Sequence, residues 1–196
     1  MTLEQHPLEP FVPENAKVLF LGSFPPPKQR WCMDFYYPNF QNDHWRIEGA
    51  VWFGDKDYFV EKDRKAFNKK KIVDFLNEKG VALYDTAKVV RRLKDNASDA
   101  FLEIVEPTDL RELLRRMPQC HAIATTGEKA TGEVCRYFGI DAIPALGSVT
   151  ELEREWPFAP GHPLKLYRLP SSSRAYPLAF DKKVAAYRAM FDEVFG

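Results

Sequence analysis

The chain has 196 residues, 28 basic and 28 acidic side chains, a formal net charge of zero and 45% hydrophobic content. That length fits one domain, read as 1–196, which can bury a core without a disulfide or metal staple. Balanced charge counts against a uniformly basic nucleic-acid binder, and no apolar run reaches membrane-spanning length.

Lys17–Leu21 is an apolar run closed by Gly22, the pattern of a strand covered on both faces in a parallel sheet. Pro25, Pro26 and Pro27 then fix three successive φ angles, which pre-orders the loop beyond it. Tyr36, Tyr37, Asn39, Asn42, His44 and Trp45 follow within ten positions and combine flat apolar faces with hydrogen-bonding tips. Each residue alone reads as packed core, and Asn42 as a helix N-cap; the cluster as a group suits a planar heterocycle.

A helix is expected near His44–Phe53, and a second over Asp63–Lys79, ended by Gly80. Val81–Tyr84 is a short strand running into Asp85. Thr108 is placed as the N-cap of a helix over Asp109–Met117, stopped by Pro118. His121–Thr126 is the third strand, Gly127–Phe138 a helix closed by Gly139, and Leu164–Leu169 the fourth strand. Residues 141–163, with four prolines, read as a loop with one short extended piece. Phe180–Phe195 forms the last helix.

Strands alternating with helices imply right-handed crossovers, so the expected fold is α/β: a three-layer α/β/α sandwich around a mainly parallel four-stranded sheet. Its four strand exits, Gly22–Lys28, Asp85–Arg92, Thr125–Lys129 and Leu169–Pro177, then share one edge, where ligands bind in open sheets. Lys28, Arg30, Lys88, Arg91, Arg92, Lys129 and Arg174 outnumber Asp85 and Glu128 there. This reads as a basic rim or as an ordinary solvated face.

In the last exit, Ser171, Ser172 and Ser173 lie between two prolines. Such a loop suits phosphate oxygens, with Arg174 or Tyr176 as a wedge, or else makes an ST-turn before the last helix. Asp85 reads as a contact to a ligand edge or as a cap, and Thr125-Thr126-Gly127 as an N-cap region whose N–H groups face the cleft. There is no Gly-x-Ser-x-Gly elbow and no Walker phosphate loop. Cys32, Cys120 and Cys135 and the four histidines, His6, His44, His121 and His162, lack metal-ligand spacing; reduced thiols and no metal or other cofactor are expected. Residues 1–17 lack the basic-then-apolar order of a leader, so a cytoplasmic location is expected.

Taken in order, LGSFPP, YYPNFQNDHWRI, VALYD, TTGEKA and LPSSSRAYP resemble the motifs of the uracil-DNA glycosylase superfamily. The branch most similar is that of the hypoxanthine (deoxyinosine) DNA glycosylases, with mismatch-type uracil glycosylases beside it. The resemblance covers most of the chain. It implies a monofunctional, cofactor-independent hydrolase that flips uracil or hypoxanthine out of DNA and cleaves its N-glycosidic bond with water. It further implies a monomer whose partner is DNA containing deaminated bases, with no protein partner and no membrane.

Position by position, Phe24 stands where many members carry an Asn or Asp that handles water. Hypoxanthine-type members also lack that group and look to the Asn of the next segment, here Asn42. Tyr37 matches the aromatic that stacks on the extruded base, with Phe24 beside it in the base pocket, and Asp85 falls where members read the base edge. Ser171, Ser172, Ser173 and Arg174 occupy the strand-gripping loop, while Leu169 replaces the His or Asn that often precedes its Pro-Ser. With Phe24 and Leu169 both apolar, weaker catalysis is expected. The alternatives are a catalytically silent DNA-binding module of the same fold, and an enzyme acting on a free nucleoside.

Overall fold

The computed structural model describes residues 3–93 and 101–196. In chain order its strands and α-helices are β1 (Leu3–Gln5), β2 (Val18–Gly22), α1 (His44–Phe53), β3 (Val60–Glu61), β4 (Ala66–Phe67), α2 (Lys69–Lys79), β5 (Val81–Asp85), β6 (Ala87–Arg92), β7 (Leu102–Pro107), α3 (Leu110–Arg115), β8 (Ala122–Thr125), α4 (Glu128–Phe138), β9 (Val149–Glu153), β10 (Leu164–Arg168) and α5 (Phe180–Phe195).

The central sheet runs β5-β2-β8-β10-β9. Its first four strands are parallel and are the four expected from the apolar runs, while β9 lies antiparallel on β10. The sheet therefore has five strands rather than four. The fifth comes from the proline-rich segment: its faces are half exposed, so it lacks the apolar run that marks a covered strand.

Alternating side chains of the parallel strands reach opposite helical layers. Phe20 meets His44 of α1 and Tyr187 and Phe191 of α5, with ring centroids 5.4 to 6.1 Å apart, and α2 joins that layer through Phe75 against Trp52. On the other face Thr125 Oγ1 lies 2.8 Å from Thr131 Oγ1 of α4. The Tyr137 hydroxyl on α4 donates to the Asp109 carboxylate that caps α3. No helix among the described residues is long and apolar enough to cross a membrane.

Three boundaries differ from the sequence-based expectations. The second helix starts at Lys69, not Asp63: Ala66–Phe67 pairs with Val60–Glu61, and the Asn68 side chain caps the helix by accepting from Lys71 N–H. Thr108 is not the cap of α3; its hydroxyl donates to the Asp85 carbonyl, and Asp109 accepts from Glu112 N–H instead. The exit after β5 is not a loop, because the chain turns at Thr86 into β6, the centre of a separate antiparallel sheet β1-β6-β7. Residues 3–6 are thereby carried to the end of β5, where His6 meets Asp85.

Gly80, which closes α2, has φ +74°, and a Cβ there would stand 2.3 Å from the Asn15 carbonyl oxygen. Gly80→Ala is expected to cost about 2 kcal/mol or more in urea unfolding, from the left-handed backbone plus this clash.

Candidate active site

In the parallel register Gly22 pairs with Asp85, and Leu21 pairs with both Tyr84 and Thr125, so three strands end level. The ends of these strands, with the loops after β2, β8 and β10, enclose a pocket of about 590 Å³. Phe24, Tyr37, Asn42, Asp85 and Ser171 to Ser173 all line it. Arg174 does not: its Nε donates to Asp43 Oδ1 at 2.8 Å, and its side chain is 43% exposed at the flank of the loop.

One wall is aromatic. Tyr37 sits at φ +47°, and its ring stacks on the His44 imidazole with centroids 3.6 Å apart and planes 13° from parallel. Its hydroxyl lies 3.2 Å from Thr126 Oγ1, tying this wall to the end of β8. His44 is fully buried beneath it, 3.6 Å from the equally buried Glu48. Burial lowers His44 to a pKa of about 3 and raises Glu48 to about 8, so both are neutral at neutral pH. Trp52 Nε1 donates to Glu48 Oε2, whereas both His44 ring nitrogens and Glu48 Oε1 have no hydrogen-bond partner among the described residues. His44 thus backs Tyr37 as an uncharged plate.

Asn42 stands at the mouth of α1, where its Oδ1 accepts from His44 N–H at 2.9 Å. The N-cap of α1 is Asp43 rather than Asn42, so Asn42 closes an Asx-turn one residue ahead of the cap and lines the pocket from there. Asp43 N–H donates to the Ser172 carbonyl, and Asn42 bridges to Ser173, so the two motif loops are clasped together. Within the serine loop, Ser171 Oγ accepts from Ser173 N–H and Ser173 Oγ from Ala175 N–H, two successive ST-turns. From α5, buried Lys183 donates to the Ser173 carbonyl at 2.7 Å and the Tyr187 hydroxyl to the Pro170 carbonyl at 3.2 Å. These braces are not legible along the chain, where Lys183 and Tyr187 read simply as helix residues.

Opposite Tyr37, Asp85 is buried at the end of β5, its Oδ2 2.8 Å from Nε2 of His6. A Cβ at Gly22 would lie 2.5 Å from Asp85 Oδ1, so the glycine makes room for this carboxylate. Nothing in the sequence announces His6, which sits 79 positions away in an otherwise unremarkable segment.

The rim is less basic than its residue count suggests. Lys28 pairs with Asp34, Arg91 with Glu103, Arg92 with Glu4 and Arg174 with Asp43. Arg30 remains in the pocket wall.

Fold and site together define an α/β protein with an aromatic and polar cleft of about 590 Å³ at the carboxyl ends of its parallel strands. Over 100% of both chains it matches a solution NMR structure from Methanosarcina acetivorans, described as a "putative Uracil DNA glycosylase", with a TM-score of 0.63 and 20% identity. At that identity the likeness is one of fold. No protein-family model matches the chain, nor does any curated protein.

Proposed function

We propose that this protein is a monofunctional DNA glycosylase that hydrolyses the N-glycosidic bond of uracil or hypoxanthine and leaves an abasic site. The observation that carries the reading is the convergence of Tyr37, Asn42, Asp85 and Ser171–Ser173, from three chain segments, on one pocket. The fold shared with the Methanosarcina protein supports it.

Cleavage builds positive charge on the sugar and negative charge on the departing base, and it needs an oriented water rather than a metal. In this reading Tyr37, held flat by His44 and Thr126, stacks on the everted base. The Asn42 carbonyl has a second lone pair beyond the one given to His44 N–H, and it orients the water. An amide is a weak base, so the rate is modest. Asp85 accepts from the base edge, and the backbone of Ser171–Ser173 grips the strand next to the flipped nucleotide.

The test is incubation of the purified protein with duplexes containing uracil, hypoxanthine or no lesion, followed by alkali. Strand scission at the lesion alone is the expected result; binding without scission would instead identify a silent binding module. The ion-paired rim favours one rival, a hydrolase of free nucleosides. Affinity for oligonucleotides that does not fall with salt would support that rival.

A further inference from the structure

We propose that His6 is a specificity-determining positioning residue: it holds Asp85 as an acceptor-only carboxylate, so that the pocket admits nucleobases bearing a ring N–H and refuses those whose ring nitrogen is bare. The proposal rests on the base-binding part of the reading above, with Asp85 as the group that meets the base edge.

His6 reaches the site because β1 pairs with β6, Gln5 opposite Val89, and because His6 N–H continues that pairing to the Lys88 carbonyl at 2.8 Å. Its side chain is 3% exposed, packed 4.7 Å from the Tyr84 ring and edge-on to Phe24 at 5.2 Å. Nε2 lies 2.8 Å from Asp85 Oδ2. At the other nitrogen, the Leu8 backbone presents both kinds of partner: its carbonyl lies 2.7 Å from Nδ1 and its N–H 3.2 Å away.

That bracket has a chemical consequence. A protonated Nδ1 donates to the Leu8 carbonyl, and a bare Nδ1 accepts from the Leu8 amide. In the imidazolium, and in the neutral tautomer with bare Nδ1, Nε2 carries its hydrogen and donates to Asp85. The opposite neutral tautomer would set a bare Nε2 lone pair against a carboxylate oxygen, two acceptors facing each other. Asp85 is therefore pinned through Oδ2, while Oδ1 rests in the space left by Gly22, and both residues belong to the pocket wall.

An ionised carboxylate can only accept. The pyrimidine N3 of cytosine and the N1 of adenine are themselves acceptors, whereas deamination to uracil or hypoxanthine turns each into an N–H donor. A fixed carboxylate at this depth thus matches the deaminated base and repels its parent, the kind of polar mismatch that discriminates strongly. Without the His6 donor, Oδ2 loses the partner that fixes the carboxylate's orientation toward the base edge, which removes the filter. The same donation draws charge from Asp85 and softens its repulsion of the departing base anion.

The test is titration of the full chain, followed by NMR, with free uracil, cytosine and 3-methyluracil, the last lacking the ring N–H. The wild-type protein is expected to bind uracil at least tenfold tighter than either of the others. His6→Phe, which keeps a ring but has no donor, should bring that ratio close to one, and His6→Gln, whose side-chain amide reaches the same oxygen, should restore it. A wild-type ratio near one, an unchanged ratio in His6→Phe, or a His6→Gln variant resembling His6→Phe overturns the proposal. If His6→Phe does not fold, as judged by thermal melting, His6→Leu takes its place, and the wild-type ratio alone still decides against the proposal when it is near one. Selective binding of uracil with no release of base from duplex DNA overturns the glycosylase reading but leaves this one standing. Lesion excision with unchanged selectivity in the His6 variants does the reverse.

Discussion

Replacing Asn42 by alanine is expected to slow single-turnover release of uracil or hypoxanthine by a factor of about 10² or more, the usual contribution of a positioned group that handles the attacking water. Because Asn42 Oδ1 also accepts from His44 N–H, the same change should cost about 1 kcal/mol of stability, as loss of a single hydrogen bond does. Asn42→Asp separates the two effects. A carboxylate keeps the acceptor for His44 N–H and is a stronger base than an amide, so this variant should fold like the wild type and retain most of the rate. Lesion affinity, measured by fluorescence anisotropy, should change little in either variant, because Tyr37 and the serine loop are untouched. An alanine variant with the full excision rate would remove Asn42 from the mechanism and leave the enzyme class intact.

The second large effect concerns stability against pH and comes from the buried pair under Tyr37. His44 has a native pKa of about 3 against an ordinary 6.5, because burial disfavours its charged form. The unfolded chain takes up a proton that the native protein refuses, so stability is lost as pH falls from about 6.5 toward 3. Glu48 behaves in the opposite sense: burial raises it to about 8 from 4.5, the native protein keeps a proton that the unfolded chain releases, and stability is lost as pH rises through that window. Stability should therefore peak between these limits, near about pH 5 to 6. Since each tenfold difference in proton affinity between the folded and unfolded chain is worth about 1.4 kcal/mol, each limb amounts to several kcal/mol. Glu48→Gln keeps an acceptor for Trp52 Nε1 and carries no charge to bury, so by about pH 8 it should exceed the wild type by roughly 2 kcal/mol or more in urea unfolding, the difference vanishing near about pH 5. His44→Phe should flatten the acid limb and keep the plate beneath Tyr37. Identical pH profiles for wild type and both variants would show that neither group carries these effects.

Phe24 and Leu169, the two apolar residues set against the resemblance, each have a place in the structure. Phe24 lines the pocket and packs edge-on against His6, the residue that contacts Asp85. Leu169 is buried, and its N–H donates to the Thr125 carbonyl, extending the β8–β10 pairing by one residue. An apolar side chain there serves the core.

How much of this is legible in the chain follows from which forces are local. The parallel strands β2, β5 and β8 announce themselves as apolar runs because both of their faces are covered, whereas β10, LKLYR, is half-exposed at Lys165 and Arg168. Helices α1, α4 and α5 follow from periodicity, and the first two end at the glycines that adopt a left-handed backbone just after them. Once those strands are parallel, their exits must share an edge, so Tyr37, Asn42, Asp85 and Ser171–Ser173 fall in one cleft from the order of elements alone. The edge strand β9 and the β1-β6-β7 sheet escape such a reading because their exposed faces leave no apolar run. The start of α2 is misplaced by it because Phe67 keeps helical spacing while its backbone pairs with β3.

Burial periodicity and chain order thus determined the layers and the address of the pocket, since both depend on near neighbours and on the handedness of crossovers. The state of the groups inside it was decided only in three dimensions. His6 meets Asp85 across 79 residues, Arg174 turns aside to Asp43 across 131, and Lys183 fastens the serine loop from the last helix. Hydrogen bonds between such distant positions depend on small differences in how separate sheets and helices come to rest, and no spacing along the chain encodes that.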